Sequence, residues 1–396
     1  MHYFFKLTDS EYRTIFTPNY KKTHSNKGST YTTYTYKIMI YEVLLSFITA
    51  FIPSYFIIPS VIHVAKAKHL CDVPGERRSH TEVTPSLGGV AIFAGVMFSM
   101  IFWTPFKTFS ELQYTLCAFI IIFLIGVKDD IMTITPYKKL LGELMAAGIV
   151  VLKSGVKITS LHGFVGIHAI PDWFSIILTT FIIIVIINAF NLIDGINGLS
   201  GSISTLVALT LGTWFYLVDK TGYAIMAFSL AGAVVAFLKY NFTPARIFMG
   251  DTGALLLGLI LSILIINFIE INQQIINSPD PLLSRAYTIA AGPAVAIGIL
   301  ILPLFDTLRV FIIRMSKGRS PFSPDRMHIH HLLIDSGFTH MQATGILVVV
   351  SALFIALSLF LQNLGTFTLI FVIILLATSM SFFLQKSVEK RRLKLS

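Results

Sequence analysis

The chain is short of charge and almost free of cysteine. Only 13% of its 396 residues are Asp, Glu, Lys or Arg, whereas hydrophobic residues make up 55%. Soluble domains are about a quarter charged, so this composition excludes an ordinary soluble protein. The two cysteines, Cys71 and Cys117, allow no disulfide framework and lack metal-ligand spacing. We therefore expect an integral membrane protein with no cysteine-based metal site and no nucleic-acid partner.

Long apolar stretches recur along the whole chain. A membrane-spanning helix needs about 20 apolar residues, and these stretches are continuous, which distinguishes them from the alternating strands of a barrel. The sequence thus predicts an all-α, polytopic integral membrane protein with about eleven transmembrane helices. The predicted spans are 40–64, 87–105, 113–127, 138–153, 172–190, 199–218, 222–239, 252–269, 287–305, 342–361 and 364–385.

Basic residues are unevenly divided between the two sets of connecting segments. Counting residues at span edges, the segments after the odd-numbered spans hold nineteen Lys and Arg, and those after the even-numbered spans hold five. Positive residues concentrate on the cytoplasmic side of membrane proteins. The odd-numbered set is therefore predicted to face the cytoplasm, and the basic surface there suits anionic lipids and anionic substrates.

The chain ends differ in composition from the apolar body. Residues 1–38 are polar and predicted to form a disordered tail, and the six basic residues before Met39 would lie on the non-cytoplasmic side. A translation start at Met39 would remove this conflict. We assign 39–386 to the transmembrane domain and 387–396 to a basic cytoplasmic tail. No internal repeat is evident, so an inverted-repeat transporter gains no support.

Four carboxylates fall at span ends on the predicted cytoplasmic side. Asp129 and Asp130 follow span 3, Asp194 follows span 5, and Asp251 begins span 8 between two glycines. Carboxylates gathered at one face repel each other unless a cation joins them. Magnesium typically binds one or two carboxylates together with substrate phosphates. The pattern predicts a site for Mg²⁺, with Mn²⁺ as an alternative.

The segment "NAFNLIDGING" places polar side chains at a regular spacing of three. On a helix, this spacing would put Asn188, Asn191, Asp194 and Asn197 on one face. Amides offer donors and acceptors that suit a nucleobase, a sugar or phosphate oxygens. Interhelical hydrogen bonding is the alternative interpretation of these residues. We predict that the segment lines a binding site.

Two further segments carry candidate ligand-binding residues. Phe248 precedes Asp251 by three residues and offers a ring for base stacking, although a core phenylalanine is the plainer interpretation. In the basic loop, a helix over 324–336 is predicted, with Ser323 as its N-cap. Arg326 and His330 would share one face of that helix and suit phosphate oxygens. Zinc is disfavoured, because the adjacent His330 and His331 cannot share a helical face.

These motifs together resemble the polyprenyl-phosphate N-acetylhexosamine-1-phosphate transferase family, in the branch that uses UDP-N-acetylglucosamine. The resemblance covers roughly residues 40–385. The motifs that carry it are "VPGERRSHTEVTPSLGG", "GVKDD", "NAFNLIDGINGLSG", "NFTPARIFMGDTGALLLG" and "GRSPFSPDRMHIHHLL". It implies a bacterial inner-membrane enzyme with a cytoplasmic active site. Such an enzyme transfers HexNAc-1-phosphate from a UDP-HexNAc to undecaprenyl phosphate and releases UMP, the first step of lipid-linked glycan assembly.

The resemblance also implies roles for individual residues. Asp251 resembles a magnesium ligand, with Asp130 as its companion. Asp129, Asp130 and Asp194 resemble the catalytic acids. Two positions depart from the family pattern: Asn197 stands where many members have aspartate, and Lys128 stands where an apolar residue is common. The residues implied to contact the substrates are Asn188, Asn191, Asn197, Asn241, Phe248, Arg326, His328, His330 and His331.

Three alternatives stay open at this point. A phospho-N-acetylmuramoyl-pentapeptide transferase belongs to the sister branch, and UDP-GalNAc is an alternative donor. A transporter would carry its charges near mid-membrane on broken helices, whereas these charges fall at one boundary. For the assembled enzyme, a homodimer is a separate prediction.

Overall fold

The computed structural model describes residues 28–72, 84–104, 109–164, 166–278, 287–318, 320 and 327–395. Within these ranges the chain is an all-α, polytopic membrane protein. Its α-helices are α1 Gly28–Ala67, α2 Gly88–Trp103, α3 Phe109–Ile131, α4 Pro136–Leu152, α5 Asp172–Ile193, α6 Leu199–Leu217, α7 Thr221–Asn241, α8 Gly250–Ile276, α9 Gly292–Ile299, α10 Ile301–Ser316, α11 Ile329–Asp335, α12 His340–Phe360 and α13 Thr366–Leu395.

Two short antiparallel strand pairs accompany the helices and were not predicted from the sequence. Strand β1 (Cys71–Asp72) pairs with β2 (Thr84–Pro85), and β3 (Ser160–Phe164) pairs with β4 (Ile167–Ala169). The first pair matters for the site, because it directs the chain from α1 into the start of α2.

Helices occur at all eleven predicted spans, but the ninth differs from the prediction. Instead of one helix over 287–305, α9 and α10 meet at an angle of 78°. Pro303, in the first turn of α10, has no N–H to donate to the carbonyl of Ile299, which explains a break at this point. Six helices in the described ranges are long and apolar enough to cross a bilayer, and the bent pair would be a seventh. The total of eleven spans stays a prediction.

The predicted boundaries at the chain ends need correction. Residues 28–38, predicted to be disordered, belong to α1, and the rest of that tail lies outside the described residues. The chain divides at Tyr41 into two units, and the site described below belongs entirely to the unit from Glu42 onward. The basic segment from 387 continues helix α13 as far as Leu395.

Helix α8 is the centre of this unit. The most apolar part of α8 is 83% buried inside the protein, whereas the corresponding part of α13 is only 22% buried. α8 packs against α2, α3 and α5, and α6 pairs with α7. Because α8 is surrounded by other helices, its first turn, which carries Asp251, is held by the ends of its neighbours.

Candidate active site

The polar ends of α3, α5 and α8 converge on one open cavity of about 450 Å³. This cavity is the candidate active site, and it contains most of the residues predicted from the sequence. Those that line it are Asp129, Asp130, Asn191, Asp194, Asn197, Asn241, Phe248, Asp251 and His331. Of the other predicted residues, Asn188, His328 and His330 do not line the cavity, and Arg326 lies outside the described residues.

Asp130 caps the start of α8. Its carboxylate accepts hydrogen bonds from the backbone N–H of Asp251 (2.7 Å) and of Thr252 (3.0 Å), and from the Thr252 hydroxyl. The first N–H groups of a helix lack partners within the helix, and a negative charge there is favourable. Asp130 thus ties the end of α3 to the first turn of α8, and both of its oxygens are engaged by protein donors.

Asp129 and Asp251 face a common point, which the ammonium group of Lys139 occupies. Lys139 Nζ is 3.2 Å from Asp129 Oδ2 and also forms an ion pair with Asp251. Asn191 donates a hydrogen bond to the same Asp251 oxygen, and Asp129 accepts one from the N–H of Ile134 at 2.8 Å. Two carboxylates that line the cavity and come from separate helices are therefore already paired with one cation.

The backbone around Asp251 is fixed by the segment that leads into α2. Phe248 donates its N–H to Pro85, and its carbonyl accepts the N–H of Gly88. Gly250 adopts a left-handed conformation with φ of 71°, which favours glycine. A side chain at Gly250 would also collide with Ser86 and the Asp130 carboxylate. This explains why the acid of the "MGDTG" motif follows a glycine.

The prediction of one continuous polar helical face over 188–197 is wrong. Helix α5 ends at Ile193, so Asp194 is its C-cap and Asn197 lies beyond the helix. Asn188 does not line the cavity, and it donates to the buried carboxylate of Glu143 at 2.6 Å. Asn197 donates to Thr243 at 2.9 Å. Of the four residues, only Asn191 and Asp194 lie at the end of α5 and line the cavity, as the spacing predicted.

Asp194 lies at the wall of the cavity and is held by Ser200, whose hydroxyl donates to its carboxylate. Burial raises the pKa of Asp194 to about 6, the Ser200 hydrogen bond opposes this effect, and the charge of Asp251 adds to it. Nearby, Asn241 accepts from the N–H of Gly198 at 2.7 Å and donates to the carbonyl of Ile247 at 2.9 Å. Asn241 therefore joins the loop after α5 to the segment that leads to Asp251.

The three histidines do not form one binding face. Within the described residues, the helix predicted over 324–336 covers Ile329–Asp335 with His328 as its N-cap, and the predicted shared face of Arg326 and His330 lies outside the described residues. His331 lines the cavity. His330 is buried against the loop after α5, and burial, with His331 and His328 nearby, lowers its pKa well below the ordinary value. His330 is therefore neutral near pH 7.

The acids fit a magnesium ion, but only as part of its ligand set. Among the described residues, no three His, Cys, Asp or Glu side chains are grouped so as to hold a metal. Magnesium normally needs only one or two carboxylates and takes its other ligands from phosphates and water. Asp129 and Asp251 meet this requirement, since they converge on one cation. The predicted pair of Asp251 and Asp130 is less suitable, because Asp130 is engaged by α8.

Several residues of the site were not predicted. The counter-ion of the acids is Lys139, and the partner of Asn188 is Glu143. Lys139 and Glu143 are spaced i, i+4 on α4, so the same face of α4 meets α3, α5 and α8. That spacing, in a helix with few other charges, is the sequence feature from which Lys139 and Glu143 could have been predicted as site residues. Ser86, Thr133 and His340 also line the cavity.

The chain is similar to known transferases, and the matched residues include those that line the cavity from α3, α5 and α8. The model of glycosyl transferase family 4 matches residues 112–269, which include every predicted acid. The undecaprenyl-phosphate alpha-N-acetylglucosaminyl 1-phosphate transferase of Escherichia coli K12 is 31% identical over 297 residues, which cover 73% of this chain and 76% of that protein. The decaprenyl-phosphate N-acetylglucosaminephosphotransferase of Mycolicibacterium smegmatis is 30% identical over 321 residues, covering 76% and 78%.

Proposed function

The chain belongs to the polyprenyl-phosphate N-acetylhexosamine-1-phosphate transferase family, and on this premise we propose that it transfers GlcNAc-1-phosphate from UDP-GlcNAc to undecaprenyl phosphate. UMP is the second product. The observation that carries the proposal is that two carboxylates lining the cavity, Asp129 and Asp251, converge on one cation, the ammonium group of Lys139. Because the relatives are named for GlcNAc-1-phosphate transfer, neither the phospho-N-acetylmuramoyl-pentapeptide transferase nor a transporter is favoured.

The reaction exchanges one pyrophosphate for another. An oxygen of the lipid phosphate forms a bond to the β-phosphorus of UDP-GlcNAc, while the bond from that phosphorus to the bridging oxygen breaks. The electron pair leaves with UMP, and no proton has to be transferred. Catalysis of such a step is mostly positioning and charge neutralisation. Mg²⁺, held by Asp251 and Asp129, would neutralise the pyrophosphate oxygens.

The protein's own residues supply the remaining functions of the site. Lys139 provides the positive charge between the two acids until Mg²⁺ takes that position. Asn191 orients Asp251 by its hydrogen bond. Asp194 and His331 line the cavity, and in this proposal they lie on the donor side, where UDP-GlcNAc binds. Phe248, also at the cavity wall, offers a ring for the uracil base.

The proposed location is the cytoplasmic face of the bacterial inner membrane. The excess of basic residues in the segments that carry the site supports this orientation. At such a boundary the lipid phosphate arrives from the bilayer and the nucleotide sugar arrives from the cytosol. A homodimer stays a prediction.

An exchange assay tests the proposal directly. Purified protein, undecaprenyl phosphate and Mg²⁺ are incubated in parallel with labelled UDP-GlcNAc, UDP-GalNAc or UDP-MurNAc-pentapeptide. We expect lipid-soluble label from UDP-GlcNAc, and none when Asp129→Asn replaces the wild type at equal expression. Label from another donor alone would change the assigned substrate. Absence of label from all three donors would reject the function.

A further inference from the structure

A buried carboxylate outside the cavity binds the segment that carries His328, His330 and His331. Asp306, in the middle of α10, is 1% exposed. One of its oxygens lies 2.9 Å from Nδ1 of His328, and the other accepts the backbone N–H of Ile329 at 2.9 Å. A buried carboxylate with two such partners is strongly localised. Asp306 therefore fixes both the side chain of His328 and the first backbone N–H of α11.

Helix α11 depends on this contact because it is very short. It contains only seven residues, and its N-cap, His328, forms no side-chain capping hydrogen bond. A helix of this length is not stable by itself in water, and its first N–H groups need partners. Asp306 supplies from another helix the cap that the segment lacks.

A second residue of α10 holds the preceding position of the chain. Arg309 lies three residues after Asp306 and donates from Nη1 to the carbonyl of Met327 at 2.7 Å. Side chains at i and i+3 lie on the same face of a helix. The backbone at Met327 and the backbone at Ile329 are thus both bound by one face of α10, which leaves α11 little freedom to rotate or slide.

The orientation of α11 determines what its histidines contact. His331 reaches the cavity, whereas His330 packs against Gly195 in the loop between Asp194 and Gly198. A methyl group at Gly195 would collide with the His330 ring. The position of α11 therefore affects two parts of the site: the histidine in the cavity and the loop that follows Asp194.

We propose that Asp306 is a positioning residue for the donor side of the active site. It acts through His328 and the N–H of Ile329, and it contacts neither substrate. The three histidines then have separate roles: His328 is the anchor, His330 is the packing contact to the loop, and His331 is the cavity residue. The kinetic part of the proposal rests on the proposed transferase function, whereas the anchoring of α11 does not.

The test compares Asp306→Asn and Asp306→Ala with wild type in full-length protein in detergent. Asn keeps the shape of the side chain but offers only one acceptor oxygen, so its effect should lie between wild type and Ala. The matched control is Asn272→Ala. Asn272 is also buried, and its side chain likewise binds a backbone segment, with two 2.8 Å hydrogen bonds to Ile289 on another part of the chain.

Two readouts are needed, and the first does not depend on catalysis. Hydrogen exchange of peptides covering 327–338 should become roughly tenfold faster or more in Asp306→Ala, the range expected for losing hydrogen bonds to a charged group. Exchange in α8 should not change, and Asn272→Ala should leave 327–338 as in wild type. Unchanged exchange at 327–338 in both Asp306 variants would overturn the proposal.

The second readout is the kinetics of transfer. KM for UDP-GlcNAc should rise roughly tenfold to hundredfold, with a smaller change in kcat and KM for undecaprenyl phosphate within about twofold of wild type. Faster exchange with an unchanged donor KM would overturn the positioning role. If wild type transfers no label, the proposed function fails, and the exchange result alone decides the anchoring. If Asp306→Ala does not fold, Asp306→Asn carries the same comparisons.

Discussion

Replacing Lys139 with methionine tests whether a divalent ion and the lysine ammonium compete for one position. Methionine keeps the unbranched shape of the lysine side chain and removes its charge. The exposed fractions are 17% for the Lys139 side chain, 9% for Asp129 and 30% for Asp251, so the three groups are sheltered. Removing one member of such a cluster leaves two carboxylates facing each other without a counter-ion.

The size of the effect follows from this geometry. Breaking a buried ion pair by removing one partner costs about 3–5 kcal/mol, and the partial exposure of Asp251 places this site near the lower end. With EDTA present, Lys139→Met should therefore lower the melting temperature by roughly 4 °C. Because no ammonium group has to be displaced, Mg²⁺ should bind Lys139→Met at least about tenfold more tightly than wild type and recover most of the lost stability.

The assay is thermal unfolding in detergent, with EDTA and along a series of magnesium concentrations. Lys138→Met is the matched control, since it removes the same charge from an exposed position one residue away. Its melting temperature should stay close to that of wild type, because exposed substitutions are typically within about 0.5 kcal/mol. The competition of Mg²⁺ and the Lys139 ammonium for one position is refuted if Lys139→Met and Lys138→Met have the same melting temperature in EDTA. It is also refuted if magnesium stabilises Lys139→Met no more than it stabilises wild type.

Three further predictions concern transfer activity. Gly195→Ala should lower transfer, because the new methyl group meets the His330 ring, whereas Gly148→Ala, at a position with open space, should have no effect; equal activity of both variants contradicts the contact. Asp251→Asn should abolish transfer at normal expression, and EDTA should stop the wild-type reaction until Mg²⁺ is restored; substantial activity in either case contradicts the metal site. Because burial raises the pKa of Asp194 to about 6, the folded state binds more protons than the unfolded state between its ordinary value of 3.8 and about 6. The free energy of unfolding should therefore fall as pH rises through that window. Transfer should rise over the same window as this carboxylate ionises. If the pH profile of transfer is the same in Asp194→Asn as in wild type, ionisation of Asp194 does not control transfer.

The helices were predictable because apolar length is a local property of the sequence. The predicted start of α8 at residue 252 lies two residues from the observed Gly250, and the predicted end of α5 at residue 190 lies three from Ile193. The break between α9 and α10 was missed, since the whole stretch is apolar and only Pro303 marks it. The proximity of Asp129, Asp194 and Asp251 was predictable, because charged side chains at helix ends on one side of the membrane are confined to the same boundary layer.

The partners of the polar residues were not predictable in the same way. Asn188 and Asn191 are three residues apart on α5, yet Asn188 meets Glu143 on α4 and Asn191 meets Asp251 on α8. Which neighbour each side chain meets depends on how the helices pack around α5, and spacing along one helix does not contain that information. The same limit explains why Lys139 was overlooked: its partners lie 10 and 112 residues away along the chain.

The adjacent acids at the end of α3 illustrate how one helix end serves both structure and chemistry. Consecutive residues on an α-helix point about 100° apart, so Asp129 and Asp130 cannot face the same group. Asp130 faces the first turn of α8 and satisfies its N–H groups, while Asp129 faces Lys139 and the cavity. The cap fixes the distance between α3 and α8, and that distance brings Asp129 and Asp251 to a common cation. The pair therefore works as a unit in which one carboxylate sets the geometry that the other uses.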